Sequence, residues 1–259
     1  MNTFGRRLVT VTVAAAVALG VTVGTGMASG AATRPKTTAG LHARLSGATA
    51  AGGHLSAAAS TFYGAGYFSY PGGAEGVSSA STSFKMPVIH CHNSNDNEWL
   101  LPGIWVYDGA SNLTEQVDVN FNCNSGALLQ EAVICITGTI CDDSLTVAPR
   151  DTIRASLAYT PTATIGTIKD VTSGVSKQVV GPAVTSDYTV FIGDAGPSLF
   201  GVSTVPGFSK IKFSRNQVNS QDLSDWAPLR YNLKTGTSVQ ITTGALGASQ
   251  AFATTFAHA

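Results

Sequence analysis

Charged residues are scarce in this sequence. Only 12% of its 259 residues are Asp, Glu, Lys or Arg, about half the roughly 25% of an ordinary soluble domain. Five of the 15 basic residues precede residue 60, whereas all 15 acidic residues follow it. The chain beyond residue 60 therefore carries a net negative charge, which excludes the basic footprint of a nucleic-acid-binding protein. The 44% hydrophobic content excludes a disordered polyelectrolyte.

Several catalytic signatures are also missing. After residue 60 the only histidines are His90, His92 and His258, and no Gly-x-Ser-x-Gly sequence occurs. A serine or cysteine nucleophile would therefore lack a suitably placed base. No glycine-rich phosphate loop follows a strand and opens a helix, which excludes the common nucleotide-binding patterns.

The first 60 residues read as an export leader and a spacer. Arg6 and Arg7 precede an apolar run over residues 8–23, and small residues follow up to Ala32, as in a cleaved secretory signal. The run is shorter than the roughly 20 residues of a spanning helix, and no later run is long enough. Residues 33–60 are nearly all Ala, Gly, Ser and Thr, the composition of a flexible spacer or propeptide. We expect a secreted protein with no stable membrane association once residues 1–32 are removed.

Only four cysteines are present, and in an exported chain an even number indicates two disulfides with three possible pairings. Cys135 and Cys141 enclose five residues with a central glycine, a spacing that suits a bridge across a tight hairpin. That choice leaves Cys91 to pair with Cys123. His90, Cys91 and His92 form a possible ligand cluster, but neighbouring strand residues point to opposite faces. We therefore predict structural disulfides and no metal.

From residue 61 onward the hydrophobic pattern has a period of two. In Thr152–Tyr159, for example, Ile153, Ala155 and Leu157 alternate with other residues. Turn sequences separate about ten to thirteen such segments. The pattern predicts an all-β domain over residues 61–259, built as an antiparallel sandwich or barrel.

One predicted strand carries two chemically distinct faces. Val117, Val119 and Phe121 share the apolar face, and the opposite face carries Gln116, Asp118 and Asn120. A turn over residues 122–126 would return the chain so that position 116 lies opposite residues 131–132. Glu131, on the returning strand, shares a largely apolar face, where a carboxylate tends to have a raised pKa.

The order of several short motifs resembles that of the glutamic peptidases, or eqolisins. The similarity covers about residues 62–258. The motifs are Tyr63-Gly-Ala-Gly-Tyr67, Ser83-Phe-Lys-Met-Pro87, Cys91, a strand from Trp105 to Asp108-Gly109, Gln116 seven residues before Cys123, Glu131, and Pro149 to Ser156.

The resemblance implies a concanavalin-like sandwich of two large antiparallel sheets with a groove on a concave face. It also implies exported, metal-free peptide cleavage at acidic pH, with no cofactor. In the family a glutamate acts as general base and then general acid, while a glutamine stabilises the oxyanion.

Matched to the family pattern, Gln116 is the catalytic glutamine, Trp105 the groove tryptophan and Glu131 the glutamate of a neighbouring strand. The position of the catalytic glutamate falls on Gly193. Asp194 follows directly but would need a bulge to turn onto the same face. The candidate catalytic residues are therefore Gln116, Asp194 and Glu131.

Three functions fit these features. The first is a secreted glutamic-type endopeptidase, and the second is a non-catalytic relative that binds peptide or glycan in the same groove. The third is a lectin- or glucanase-like sandwich, with carboxylates among Glu115, Asp118 and Glu131 and aromatic platforms at Trp99, Trp105 and Tyr107. The candidate substrate-binding residues are Trp105, Tyr107 and Asp118, and the expected partner is a polypeptide or a polysaccharide.

Overall fold

A computed structural model describes residues 64–70, 76–92, 98–108, 113–137, 140–184, 189–195, 204–235 and 237–257. The predicted leader, the spacer and the domain boundary at residue 61 lie outside these residues. Nearly all of the described regular structure is β-strand; a short 3-10 helix spans Leu223–Trp226. Among the described residues no helix is long and apolar enough to cross a membrane.

Seven antiparallel strands form a first sheet, here called sheet I. In spatial order they are β15 (Leu229–Tyr231), β1 (Gly64–Ser69), β11 (Thr189–Ala195), β4 (Glu98–Tyr107), β5 (Leu113–Asn124), β6 (Ala127–Ile136) and β7 (Ile140–Thr146). Strands distant in sequence lie side by side at its centre, where β11 is inserted between β1 and β4. This crossing brings residues 190–195 beside the strand that carries Trp105.

Nine antiparallel strands form the second sheet, sheet II. The main path is β10 (Ser176–Pro182), β9 (Ala163–Asp170), β8 (Thr152–Tyr159), β2 (Ser79–Lys85), β13 (Ile211–Val218), β18 (Phe252–Phe256), β17 (Ser238–Thr243) and β16 (Leu233–Thr235). Strand β14 (Gln221–Asp222) pairs with β13, and a separate two-stranded ladder joins β3 (Ile89–His90) to β12 (Gly207–Phe208). The sandwich predicted from the period-two pattern is confirmed.

The main core lies between the two sheets. On β5, Val117, Val119 and Phe121 are fully buried and belong to this core, as the alternation predicted. From sheet II, the Phe84 and Phe213 rings pack with centroids 5.5 Å apart. Burying each large apolar side chain contributes about 1.5–3 kcal/mol relative to exposure, so this layer holds the sheets together.

The β5–β6 hairpin turns over two residues, Ser125 and Gly126. Both have positive φ angles, +51° and +78°, as the two-residue turns that fit strand twist require. Strand β5 consequently continues to Asn124, and Gln116 pairs with Cys135. The expectation that residue 116 lies opposite 131–132 is wrong, because it assumed a five-residue turn.

Both disulfides are those predicted. Cys91 is bonded to Cys123, and Cys135 is bonded to Cys141. The second bridge joins directly paired residues of β6 and β7, and the first ties the segment after β3 to the end of β5. The first bridge therefore anchors the end of β5, and the second fixes β7 to β6, the strand beside β5.

Candidate functional site

The face of sheet I that points away from sheet II carries a second apolar cluster; we call it the outer face. Its buried members are Phe68, Leu101, Trp105, Tyr107, Phe191 and Ala195. The half-buried side chains packed against them include Trp99 and Tyr231. The main core does not need an apolar cluster on this face, and ligand sites are lined mainly by apolar and aromatic side chains, so this face is a candidate binding site.

Gln116 lies on the outer face, in register with the aromatic cluster. It pairs with Trp105 on β4, and Trp105 pairs in turn with Phe191 on β11. Gln116 is half-buried, whereas Trp105 has no exposed surface. The structure therefore brings together the predicted catalytic glutamine and the predicted groove tryptophan. Tyr107, two residues further along β4, is also buried on this face.

The next row across the outer face contains three glycines and one carboxylate. Gly66, Gly193 and Gly103 are paired in succession on β1, β11 and β4, and Gly103 pairs with Asp118 on β5. We call these three residues the glycine row. Going across the sheet from β1 to β5, Asp118 is the first residue of this row whose side chain carries a functional group.

The Asp118 carboxyl is shielded from solvent and has no hydrogen-bond partner. Its exposed fraction is 0%, and both oxygens are unsatisfied among the described residues. Burial raises the pKa of Asp118 well above its usual value, and the nearby Glu131 carboxyl raises it further. A carboxyl with a raised pKa keeps its proton to higher pH than an exposed aspartate, and its ionised form is a stronger base, so this group can both accept and release a proton.

Glu131 is near Asp118 but is not beside Gln116. It pairs with Asn120, whose amide donates a 3.4 Å hydrogen bond to its Oε1. Gln116 pairs with Cys135, four residues further along β6, which is about 13 Å along a strand. Asp118 lies between them on the same face, so it is the carboxylate closest in register to Gln116.

Asp194 does not share this face, which corrects the expectation that a bulge could turn it towards Gln116. The β11–β4 pairing runs without a shift through Gly193 and Asp194. Asp194 follows Ile192 by two residues, so its side chain points to the same face as Ile192, a member of the core between the sheets. Burial raises the pKa of Asp194 to about 7, and the hydroxyl of Thr254 in sheet II opposes the shift. The carboxyl therefore faces the interior.

The backbone at Gly193 admits no larger residue. Its φ is +156°, outside the range that side-chain-bearing residues readily adopt, and a Cβ there would collide with the Ala65 carbonyl oxygen. The same Cβ would lie 2.7 Å from the Gly66 Cα and 2.9 Å from the Phe191 ring. The structure thus gives a steric reason for glycine where the family resemblance expects a glutamate.

Glu115, a third predicted carboxylate, is also directed away from the outer face. It is fully buried on the inner side of β5, where its Oε2 accepts hydrogen bonds from Thr114 (2.6 Å) and Tyr159 (3.0 Å). Burial raises the pKa of Glu115, and these two hydrogen bonds oppose the shift. Since Tyr159 belongs to sheet II, Glu115 links the two sheets.

Within the described residues, one group of metal-ligating side chains is close enough to share an ion: Cys91, Glu98 and Cys123. The two sulfurs are joined as a disulfide, so they are not free to ligate. His92, a member of the cluster noted in the sequence, instead places its Nδ1 3.1 Å from Glu98 Oε1.

Comparison with known proteins places the fold. No protein-family profile matches the chain, and no curated protein sequence matches it. A solved structure of scytalido-glutamic peptidase with a transition-state-analogue inhibitor superposes with a TM-score of 0.58 at 15% identity, covering 76% of this chain and 98% of that one. The eqolisin SCP-B, in complex with the tripeptide Ala-Ile-His, gives 0.54 at 13% identity, with 74% and 97% covered. The chain therefore has the eqolisin β-sandwich fold.

The sequence pattern did not reveal the importance of Gly66 and Gly103. Each is a glycine within a strand, a known sign of close backbone approach, but only the register shows that they align with Gly193 and Asp118. The glycine row is the feature of the site that depends most on tertiary structure.

Proposed function

We propose that this protein is a secreted, divergent relative of the glutamic peptidases that binds extended peptides on its outer face and hydrolyses them at acidic pH. The observation that carries the proposal is the placement of Gln116 and a buried, proton-holding carboxyl, Asp118, on one face of one strand. Both lie against the buried aromatic cluster around Trp105.

Gln116 would supply the oxyanion donor. Its side-chain amide is half-buried and lies beside apolar rings, where a hydrogen bond to a developing oxyanion is stronger than in water. The general acid/base would come from the carboxyls around Asp118 and Glu131, because position 193 offers none and Asp194 faces the core. A peptide partner fits this apolar face, whose acidic groups are carboxyls, better than a nucleic acid does.

A second function is favoured by one specific observation, the glycine at 193. A chain with the eqolisin fold but without that carboxylate can bind peptide and leave it intact. A polysaccharide ligand has weaker support, because two of the three predicted aromatic platforms, Trp105 and Tyr107, are buried and only Trp99 is partly exposed.

The proposal is tested with the full exported chain and a denatured protein substrate between pH 2 and 7. We expect cleavage with an acidic optimum, and a loss of about 100-fold or more in Gln116→Ala, since removal of one oxyanion donor typically costs that much. Gln178→Ala is the matched control, because Gln178 is an exposed residue of β10 that bonds Thr167. Peptide binding without cleavage would support the non-catalytic alternative. Neither binding nor cleavage would overturn both functions, and retention on insoluble polysaccharide would then favour the glycan-binding hypothesis.

A further inference from the structure

The glycine row places one functional side chain within reach of the position that lacks the expected glutamate. Gly193 pairs with Gly103, and Gly103 pairs with Asp118. Positions 193 and 118 are therefore two strand spacings apart, about 10 Å between Cα atoms. No side chain stands between them, because the intervening residue is glycine.

The packing at Gly103 ties this arrangement to Asp118. A Cβ at residue 103 would lie 2.5 Å from Asp118 Cβ and would also collide with the Val117 carbonyl oxygen. Strands β4 and β5 can approach this closely at the row only with glycine at 103. Asp118 thus occupies space that a side chain on β4 would otherwise take.

Asp118 is also correctly placed relative to the amide donor. It follows Gln116 by two residues on one strand, so both side chains leave the same face about 7 Å apart. Its two oxygens are buried and unpaired among the described residues. An unpartnered buried carboxyl costs free energy unless it is neutral or has a function.

We propose that Asp118 is the general acid/base of this site and takes the role that the family assigns to the glutamate position occupied here by Gly193. This inference rests on the proposed function, since it assigns a catalytic residue to the same hydrolysis.

The proposed reaction has two proton transfers. Water attacks the scissile carbonyl carbon while the Asp118 carboxylate removes one of its protons, and the carbonyl electrons move to the oxygen, which the Gln116 amide binds. The tetrahedral intermediate then collapses, the C–N bond breaks, and Asp118 returns the proton to the leaving nitrogen. Asp118 ends as the carboxylate it was at the start.

Glu131 acts in this scheme as a positioning residue that tunes Asp118. Burial and the Glu131 carboxyl on β6 raise the pKa of Asp118. Tyr107 on β4 is the other titratable neighbour, and its own pKa is raised by burial and by Asp118. Tyr107 is therefore uncharged at acidic pH, and Glu131 is the neighbour whose negative charge acts on Asp118. Since a negative Glu131 raises the pKa of Asp118, its removal lowers that pKa.

The decisive variant is Asp118→Asn, which keeps the shape of the neutral acid and removes proton transfer. In the full exported chain we expect kcat to fall by about 100-fold or more, with KM little changed. Asp194→Asn is the matched control: it makes the same change at another fully buried carboxyl, on the opposite face of sheet I, and should leave kcat unchanged.

Glu131→Gln provides a second, independent measurement. It should move the acidic limb of the kcat/KM–pH profile to lower pH without abolishing cleavage, a shift that a purely structural role would not produce. An unchanged limb, or an Asp118→Asn enzyme that cleaves like the wild type, would overturn the assignment of Asp118 and leave the proposed function standing. If the wild type cleaves nothing at any pH, the proposed hydrolysis fails and this inference fails with it.

Discussion

Position 193 shows how backbone geometry decides which residue a site can hold. The expected glutamate is absent, and the φ of +156° together with the contact to Gly66 means that no side chain fits without displacing β1 or β11. The sequence alone shows the glycine but not its contact with Gly66. Asp118 and Gln116 remain on β5, two strands away from β11, as polar groups of the outer face.

A prediction at this scale concerns Gly193→Ala. We expect it to lower the free energy of unfolding by more than about 2 kcal/mol, because an unfavourable φ costs about 1–3 kcal/mol and the backbone clash adds to it. Urea denaturation measures the change. Gly174→Ala is the control, since Gly174 also has a positive φ (+80°) but has open space around its Cβ position. Equal losses in the two variants would contradict the contact at Gly193.

The same geometry predicts the result of placing glutamate at 193. Gly193→Glu should reduce stability at least as much as Gly193→Ala and should not raise cleavage activity, because the new side chain cannot be accommodated beside Ala65 and Gly66. Activity assays at equal concentrations of folded protein, judged by circular dichroism, make the comparison. A gain in cleavage would show that the strands can move apart at this position.

At the scale of elements, strand β13 contains a bulge, and a side chain within it bonds to two other parts of the domain. The β13–β2 register shifts between Ser214 and Gln217, and Asn216 in this interval is fully buried. Asn216 accepts a 2.6 Å hydrogen bond from Thr82 and donates to the Gln250 carbonyl. The bulge therefore places the Asn216 side chain where it bonds both to β2 and to the segment between β17 and β18. The backbone pairing of the strands does not make these two contacts.

We predict that Asn216→Ala lowers the free energy of unfolding by about 1–3 kcal/mol, because it leaves buried polar groups of Thr82 and Gln250 unsatisfied. Thr82→Val should also destabilise, by less. A double-mutant cycle with urea denaturation should give a coupling energy of at least about 0.5 kcal/mol. Additive effects would mean that the Thr82–Asn216 hydrogen bond contributes nothing to stability.

The strands themselves were predictable, whereas their register was not. Alternation identified the faces of Val117, Val119 and Phe121, and spacing identified the Cys135–Cys141 bridge, because both are local properties. The partner of Gln116 depended on whether the chain turns in two residues or five, and the alignment of Gly66 with Gly193 depended on β11 entering between β1 and β4. Such long-range pairings leave no local pattern in the sequence.

For the molecule as a whole, the buried carboxyls make the folded state more stable at acidic than at neutral pH. Burial raises the pKa values of Asp194, Asp118 and Glu115. A carboxyl whose folded pKa exceeds its unfolded value stabilises the fold fully below the unfolded pKa, and that stability is lost as pH rises through the folded pKa. Asp142 acts in the opposite direction, since hydrogen bonds from Ser144 lower its pKa, but it is only half-buried, so solvent screens its effect.

We predict that Tm increases as the pH is lowered from 7 towards 4. Asp194 alone, with a pKa raised from 3.8 to about 7, contributes roughly 4 kcal/mol of pH-dependent stability at 1.36 kcal/mol per unit. Asp194→Asn should therefore flatten the Tm–pH curve between pH 4 and 7 and stabilise the protein at pH 7. Thermal denaturation across this range tests the prediction; a wild-type Tm that is highest at neutral pH would contradict it.

The contact between Gly66 and Gly193 also limits how this protein can evolve. A Cβ at either glycine would overlap the backbone of the partner strand, so a carboxylate at 193 requires a coordinated change in β1 and not a single substitution. Single substitutions that add or move an acidic side chain on this face are therefore confined to strands such as β5 and β6, whose outward positions already carry side chains.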